Sequence, residues 1–187
     1  DEEVTLDTKV YANGKSARFV GGVVGYNAKS IYCCKADIIV EGVSTENGSY
    51  VGGVVGQNAA GANVILSAKV GGNTQAGGNS IRLGGVVGTN AGSVDRCYSE
   101  LSAVSAAKNY SSYVGGIVGE TTHGLIHENR SRGKVDNGTN NPSSTKAAQA
   151  IVGDFKSYSE VSTNYKAKGL SQMIPSGINM TITDLRD

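Results

Sequence analysis

Val51-Gly52-Gly53-Val54-Val55-Gly56-Gln57-Asn58 is the stretch that decides the fold, because nearly the same phrase occurs five times in the 187-residue chain. Four copies have their glycine pair beginning at Gly21, Gly52, Gly84 and Gly115, and a fifth copy at Gln149 has lost the pair. The steps between copies are 31, 32, 31 and 34 residues. A nearly fixed period in this range predicts a solenoid, in which each unit buries its apolar face against its neighbours.

The composition favours stacked strands over a helical bundle. Aromatic residues make up only 6% of the chain and Trp is absent, whereas glycine reaches 27 residues and proline only 2. The core must therefore consist of small and β-branched side chains, which suits strands. The net charge is +1 with scattered basic residues, and no apolar run is long enough to span a membrane. We therefore expect neither nucleic-acid binding nor membrane insertion.

The second half of each repeat aligns as well. The aligned segments are Ile31–Cys34, Val64–Ser67, Val94–Cys97, Ile126–Asn129 and Val161–Asn164. Extended stretches such as Asp37–Val40 follow, and then turn-forming pairs such as Asn47-Gly48 and Gly71-Gly72. Each repeat is thus predicted to be a strand, a corner, a second strand and a variable loop, with loops near residues 71–80, 103–112 and 136–147.

Glycine and asparagine recur at structural positions of the repeat. The second glycine of each pair is Gly22, Gly53, Gly85 or Gly116. At such positions a Cβ atom would clash with a neighbouring coil or would forbid a positive φ. The residue two after the last glycine is Asn27, Asn58 or Asn90 in the first three copies, and then Thr121 and Phe155. We expect these asparagines to stack and to hydrogen-bond from coil to coil.

An aromatic residue recurs just before the glycines. Phe19, Tyr50 and Tyr113 occupy this column, and Arg82 is the exception. The column has two interpretations: packing at the flank of the fold, or a binding stripe.

The phrase ending in Asn58, with its copies ending in Asn27 and Asn90, resembles the GLUG motif. Gly92–Ser99 is similar to the second element of that motif, with Cys97 where Asn or Ser is usual. The resemblance covers roughly residues 18–170 and implies a β-solenoid from a secreted or surface-anchored bacterial protein. Such repeats occur in large adhesin-like proteins and in accessory regions of bacterial immunoglobulin A1-specific metallopeptidases. The repeat itself implies no catalytic residue.

The residues offer little catalytic chemistry. His123 and His127 have the spacing of a zinc-binding helix, but Gly124 stands where the general base should be. In a strand the two histidines would lie about 13 Å apart, too far to share one zinc ion. No nucleophile elbow occurs, and the glycine phrases precede strand-like sequence rather than a helix. We therefore predict no catalytic, cofactor-binding or metal-binding residues and no cofactor.

The three cysteines do not indicate a disulfide framework. Cys34 and Cys97 share a column two repeats apart, which with one coil per repeat separates them by about 9 to 10 Å. Cys33 and Cys34 are adjacent and would point to opposite faces of a strand. Neither arrangement favours a disulfide bond, so we expect buried thiols that act as small hydrophobic side chains.

The sequence therefore predicts an all-β fold, a β-solenoid of about five repeats over residues 1–170, with residues 171–187 as a C-terminal strand cap of the same domain. Whether one repeat forms one coil or two stays open, since equivalent glycines would then lie about 4.8 or about 10 Å apart. The leading functional hypothesis is a non-catalytic, adhesin-like module on the bacterial cell surface or outside the cell. Its expected partners are a host or matrix protein or glycan and neighbouring domains of a larger chain. Two alternatives are an accessory domain of a metallopeptidase and a carbohydrate-binding module that uses tyrosines.

Overall fold

The computed structural model describes residues 6–14, 19–32, 36–44, 49–66, 69–78, 81–107, 112–136, 148–156, 160–176, 178 and 180–185. Every regular element in these ranges is a β-strand. The strands are β1 (Leu6–Gly14), β2 (Phe19–Gly21), β3 (Val24–Asn27), β4 (Ser30–Tyr32), β5 (Ala36–Ser44), β6 (Ser49–Gly52), β7 (Val55–Asn58), β8 (Asn63–Ile65), β9 (Lys69–Gly78), β10 (Ile81–Gly84), β11 (Val87–Asn90), β12 (Ser93–Asp95), β13 (Tyr98–Ser99), β14 (Ser102–Ala107), β15 (Ser112–Gly115), β16 (Val118–Thr121), β17 (Leu125–His127), β18 (Arg130–Ser131), β19 (Val135–Asp136), β20 (Val152–Phe155), β21 (Glu160–Lys166) and β22 (Met180–Asp184).

The strands form three parallel sheets that stack as a β-solenoid, which confirms the predicted fold class. Sheet I contains β2, β6, β10 and β15, and sheet II contains β3, β7, β11, β16 and β20. The remaining strands form the 13-stranded sheet III. Each passage of the chain through the three sheets is one coil, and the coils comprise residues 19–44, 49–78, 81–107, 112–136 and 148–166, numbered 1 to 5 below.

One repeat forms one coil. Gly21 pairs with Gly52, Gly52 with Gly84, and Gly84 with Gly115, all in parallel register. Adjacent paired strands lie about 4.8 Å apart, so the alternative of two coils per repeat is excluded. Coils 2 to 4 contribute to all three sheets and have a coil on either side, whereas the described part of coil 5 reaches sheet I through a single bridge from Gln149 to Gly115. The array therefore comprises about three full inner turns with two terminal coils, rather than five equal repeats.

Columns of aliphatic side chains fill the interior. Alternate residues of each strand point inward, and stacking in register places equivalent residues of successive coils above one another. The fully buried columns include Val51, Leu83 and Val114 from sheet I; Val55, Val87, Val118 and Val152 from sheet II; and Val64, Val94, Ile126 and Val161 from sheet III. All of these residues except Leu83 are β-branched, which agrees with the expectation of a core built from small and β-branched side chains, and Leu66 and Leu101 are two further buried leucines.

The glycines allow sheets I and II to touch through their backbones. A Cβ atom on Gly88 would lie 2.6 Å from the Gly56 carbonyl oxygen and 2.7 Å from the Val51 nitrogen. The second glycine of the pair is equally confined, since a Cβ on Gly85 would overlap the Gly116 carbonyl oxygen. Neither Gly85 nor Gly88 has a positive φ. Of the two reasons proposed for these glycines, close approach is therefore the one that applies.

Two of the predicted loops are largely strands, so that part of the prediction was wrong. Residues 71–78 belong to β9, and residues 103–107 belong to β14. The pairing of β9 with β5 gives the backbone around Gly71-Gly72 regular hydrogen-bond partners, which overrides the local turn preference. Gly72 nevertheless has a positive φ, of 101°, which is a backbone conformation typical of turns. Residues 79–80, 108–111 and 137–147 of the predicted loops, and the predicted turn at Asn47-Gly48, lie outside the described residues.

The segment after coil 5 closes that end of the stack. At each corner between sheets I and II, two amide groups of one coil donate to one carbonyl of the next, as Val54 and Val55 do to the Val86 oxygen at 3.0 Å. In coil 5 the corresponding amides of residues 151 and 152 donate instead to the side-chain Oε1 of Gln172, at 2.8 and 3.0 Å. Strand β22 pairs with β21 in sheet III. A side-chain amide thus takes the place of a sixth coil.

Candidate functional site

An outer stripe of five side chains runs along the solenoid, with one contributed by each coil: Phe19, Tyr50, Arg82, Tyr113 and Lys156. The first four are consecutive neighbours in the register of sheet I. The Phe19 and Tyr50 rings have centroids 5.3 Å apart, and the Arg82 guanidinium lies 5.5 Å from the Tyr50 centroid and 5.3 Å from that of Tyr113. Lys156 Nζ lies 4.8 Å from the Tyr113 centroid. Cation–π contacts therefore join the aromatic column to its basic members.

Two buried carboxylates hold the basic end of the stripe. Glu120 and Asp154 are 5% and 4% exposed and come from neighbouring strands of sheet II. Arg82 Nε lies 3.0 Å from Glu120, and Lys156 Nζ lies 2.7 Å from Asp154 and 3.7 Å from Glu120. Burial of a carboxylate is unfavourable unless it is paired, so these contacts explain how both can be tolerated. The hydrogen bond that Lys156 donates to Asp154 is the main cause that raises the pKa of Lys156.

The geometry of the stripe limits what it can bind. The guanidinium of Arg82 lies between the Tyr50 and Tyr113 rings, and all three side chains are only partly exposed. Ring faces that already contact Arg82 are not free to stack flat on a sugar or a base. Ring edges and the outer surfaces of the cations remain in reach of a partner laid along the axis.

A second cluster surrounds His127 on sheet III. His127 Nδ1 lies 3.1 Å from Asp95 Oδ1, and His127 Nε2 lies 3.9 Å from Glu128 Oε1. Arg96 Nε lies 2.9 Å from the other oxygen of Asp95. Among the described residues, Asp95, His127 and Glu128 are the group whose ligand atoms lie close enough together to share a metal ion. His123 does not belong to this group.

The arrangement around His127 favours a hydrogen-bonded surface cluster over a metal centre. The two carboxylates approach opposite nitrogens of one imidazole ring, and a single ion can bind only one of those nitrogens. Asp95 is also engaged by Arg96, which leaves two ligand groups where zinc sites in proteins use at least three. The alignment of Val94-Asp95 with Ile126-His127 in the repeat was the sequence signal that could have placed Asp95 beside His127.

The predicted repeat positions lie at the inner corners of the stack. Gly22, Gly53, Gly85 and Gly116 occupy the bends between sheets I and II. Asn27 Nδ2 donates to Asn58 Oδ1 at 2.8 Å, and Asn58 Nδ2 donates to Asn90 Oδ1 at 2.8 Å. The ladder ends at coil 4, where Thr121 Oγ1 donates to backbone carbonyls instead. The asparagine bonds join coils 1 to 3.

A second asparagine ladder, which sequence reasoning missed, runs through the other end of the stack. Asn129 Nδ2 donates to Asn164 Oδ1 at 3.0 Å, and the Asn129 Oδ1 accepts the Cys97 amide at 3.0 Å. Both side chains are fully buried. The preceding residues of this corner, Glu128 and Thr163, have φ of 52° and 53°. Left-handed backbone in a β-branched residue is strained, and the ladder beside it contributes to holding that corner in place.

Cys97 lies on the interior side of the same corner. Its side chain is 1% exposed, and burial raises the pKa of the thiol to about 12. A thiol that stays protonated is a poor nucleophile, so Cys97 acts as a small buried side chain, as expected. Cys33 and Cys34 lie outside the described residues.

A cleft of about 400 Å³ lies between β20 and the segment 173–176. Phe155, Met173, Ile174 and Pro175 supply most of its apolar wall, and Asp154 is the charged group that lines it. Asp154 is paired with Lys156 at 2.7 Å.

No protein-family model matches the chain, and neither does any curated protein or solved structure. In the described part of the chain no helix is long and apolar enough to cross a membrane.

Proposed function

We propose that the chain is a non-catalytic structural and interaction module of a secreted or surface-anchored bacterial protein, with an adhesin-like role. The observation that carries the proposal is the outer stripe, in which five coils each contribute one aromatic or basic side chain to a single row. Three steps of about 4.8 Å give the sheet I part of the row, from Phe19 to Tyr113, a length of roughly 14 Å. Lys156, which follows β20, extends the row beyond Tyr113. A row suits contact with a macromolecular surface, whereas small-molecule chemistry needs groups that converge in a pocket.

The residue types of the stripe support the same proposal. Tyrosine and arginine are enriched where proteins bind other macromolecules, because they combine a large apolar surface with fixed hydrogen-bonding groups. The paired carboxylates behind Arg82 and Lys156 hold these cations in place and lower the cost of ordering them on binding. The proposed partner is a host or matrix protein or glycan, and the module would act next to other domains of a larger extracellular chain.

The experiment compares wild type with two tyrosine variants on a panel of immobilised matrix proteins and glycans. We expect Tyr50→Ala to weaken binding at least tenfold and Tyr32→Ala to leave it unchanged, since Tyr32 is exposed on sheet III. Equal affinity in both variants, or no binding to any panel member, would contradict the proposal. Circular dichroism of each variant separates lost binding from lost folding.

Carbohydrate binding is the second candidate, because Tyr50 and Tyr113 lie two coils apart on one face. The Arg82 guanidinium between the rings argues against flat stacking of a sugar on either one. Glycan binding that survives Arg82→Ala but disappears in Tyr50→Ala would favour this candidate over protein binding. An accessory role beside a metallopeptidase would instead be tested by the sequence that flanks this chain.

Absence of catalysis is tested separately. We expect no turnover on peptidase and glycosidase substrates with added zinc, and no change of fold or binding when His123 and His127 are both replaced by alanine. Turnover that disappears in the double variant would replace the binding-module proposal with a metalloenzyme.

A further inference from the structure

The two ends of the solenoid differ in how their corners are covered. Val54, Val86, Ile117 and Ile151 occupy the same corner position in coils 2 to 5, and all four are fully buried. Val23 holds this position in coil 1 and is 40% exposed. Ile151 has no sixth coil beyond it, yet Gln172 and the segment around it cover it completely. The first coil therefore has an uncovered corner of a kind that the rest of the described stack covers.

The uncovered corner presents hydrogen-bond acceptors. In coils 2 to 5 the corner carbonyl accepts two amide groups from the preceding coil, as the Val54 oxygen does from Val23 and Val24 at 3.0 Å. Among the described residues, no such backbone bond reaches the Val23 carbonyl. In the described ranges Asn27 Oδ1 likewise lacks the asparagine donor that reaches Asn58 Oδ1 and Asn90 Oδ1, and it accepts the Lys29 amide at 3.3 Å. An occupant must therefore bring N–H donors as well as apolar surface.

We infer that this N-terminal end is a docking surface for one further coil: an extended polypeptide segment that carries the phrase Gly-Gly-aliphatic-Val-Gly-x-Asn and adds in parallel register. Such a segment places two corner amides on the Val23 carbonyl, an asparagine amide on Asn27 Oδ1 and an aliphatic side chain against Val23. The paired corner amides recur at every interface between coils 1 and 5, and the asparagine contact recurs between coils 1 and 2 and between coils 2 and 3, so the docking continues an interface that the chain already forms. Strand addition of this kind is an established way for an exposed sheet edge to bind a polypeptide.

A second copy of the chain fits the surface less well. Two copies meeting by their first coils would set acceptor carbonyls against acceptor carbonyls. Two copies meeting head to tail would require the corner amides of coil 5, which already donate to Gln172. Only a segment with unsatisfied corner amides matches the Val23 end.

The test uses a synthetic peptide with the sequence of residues 49–66, which contains β6, β7 and β8 and so supplies one strand to each of the three sheets. The peptide omits the β9 part of the coil, because β1 already pairs with β5 at that place. We expect saturable 1:1 binding by fluorescence anisotropy and a rise in melting temperature, because a ligand of the folded state stabilises it. Val23→Lys in the protein should weaken binding at least tenfold. Ile174→Lys is the matched control, since Ile174 is 47% exposed at the opposite end, and it should change nothing.

If the free peptide binds too weakly to measure, a second experiment joins the same segment covalently to the protein. The same 18 residues are joined to the N-terminus of the full chain by a flexible Gly/Ser linker, which raises the effective concentration. We expect the tethered chain to melt at a higher temperature than one carrying the scrambled segment. The inference is overturned if neither the free nor the tethered segment has an effect, or if Val23→Lys leaves the effect intact. It is also overturned if sedimentation shows the unmodified chain forming dimers that Val23→Lys abolishes.

Discussion

Replacing Gly88 by alanine should lower the free energy of unfolding by about 3 kcal/mol. The added Cβ would lie 2.6 Å from the Gly56 oxygen, 2.7 Å from the Val51 nitrogen and 2.8 Å from the Tyr50 carbonyl carbon. Favourable contacts between such atoms lie near 3.5 Å or beyond, so relief requires sheets I and II to separate by nearly 1 Å. Overpacking that moves backbone costs about 1 to 3 kcal/mol or more. For a chain of this size, 3 kcal/mol corresponds to a fall of about 6 to 12 °C in melting temperature.

Gly25 is the matched control because it holds the same phrase position in coil 1. A Cβ there would have the Phe19 oxygen at 3.2 Å as its nearest neighbour. The effect of alanine on the unfolded chain is the same at both sites, so the difference between the two variants isolates the clash. Urea denaturation followed by circular dichroism measures both. Equal losses of stability in the two variants would refute the close-approach explanation of the glycine phrase.

Three further predictions follow from buried polar groups. Asn58→Ala should lower the free energy of unfolding, measured by urea denaturation, by about 3 kcal/mol because it leaves several buried partners unpaired. The control Asn63→Ala loses an exposed side-chain bond and should lower it by less than about 0.5 kcal/mol. Similar losses of stability in the two variants would contradict the stabilising role of the ladder. Gln172→Ala should cost about 2 to 4 kcal/mol, since two corner amides lose their acceptor, and a silent variant would show that the cap acts otherwise. With the other two cysteines replaced by serine, Cys97 should resist iodoacetamide at pH 8 until the protein unfolds. Because burial raises the pKa of the Cys97 thiol from its ordinary value of 9.0 to about 12, stability should fall as pH rises above about 9, and Cys97→Ala should remove that slope.

The repeat period made the fold and the first ladder predictable. A step of 31 or 32 residues specifies directly that Asn58 stacks on Asn27 and under Asn90, so no long-range information was needed. Side chains that occur once carry no such signal. Gln172 completes the last corner without any counterpart in the repeats, and its role depends on where the chain returns after coil 5.

Contacts with neighbouring coils and strands also explain the other features that the sequence did not predict. Asn129 and Asn164 share a column with Cys97, and the change of residue type hid a second ladder that begins where the first one ends. The turn-forming glycines at 71–72 were overridden by pairing with β5, which local sequence preference cannot anticipate. The stripe was visible as a column, but the ion pair of Arg82 with Glu120 joins two sheets and required the geometry of the corner.

The change from one asparagine ladder to the other also has a consequence for folding fidelity. Near-identical repeats invite misfolding in which the chain skips a whole coil, since the aliphatic columns would still match. If coil 4 stacked directly on coil 2, Thr121 would replace Asn90 as the neighbour of Asn58, and the Asn58 amide would lose its side-chain acceptor. The same error would separate Asn129 from the Cys97 amide. The two ladders thus distinguish one coil from the next, because a chain assembled in the wrong order would lose the bonds from Asn58 to Asn90 and from the Cys97 amide to Asn129.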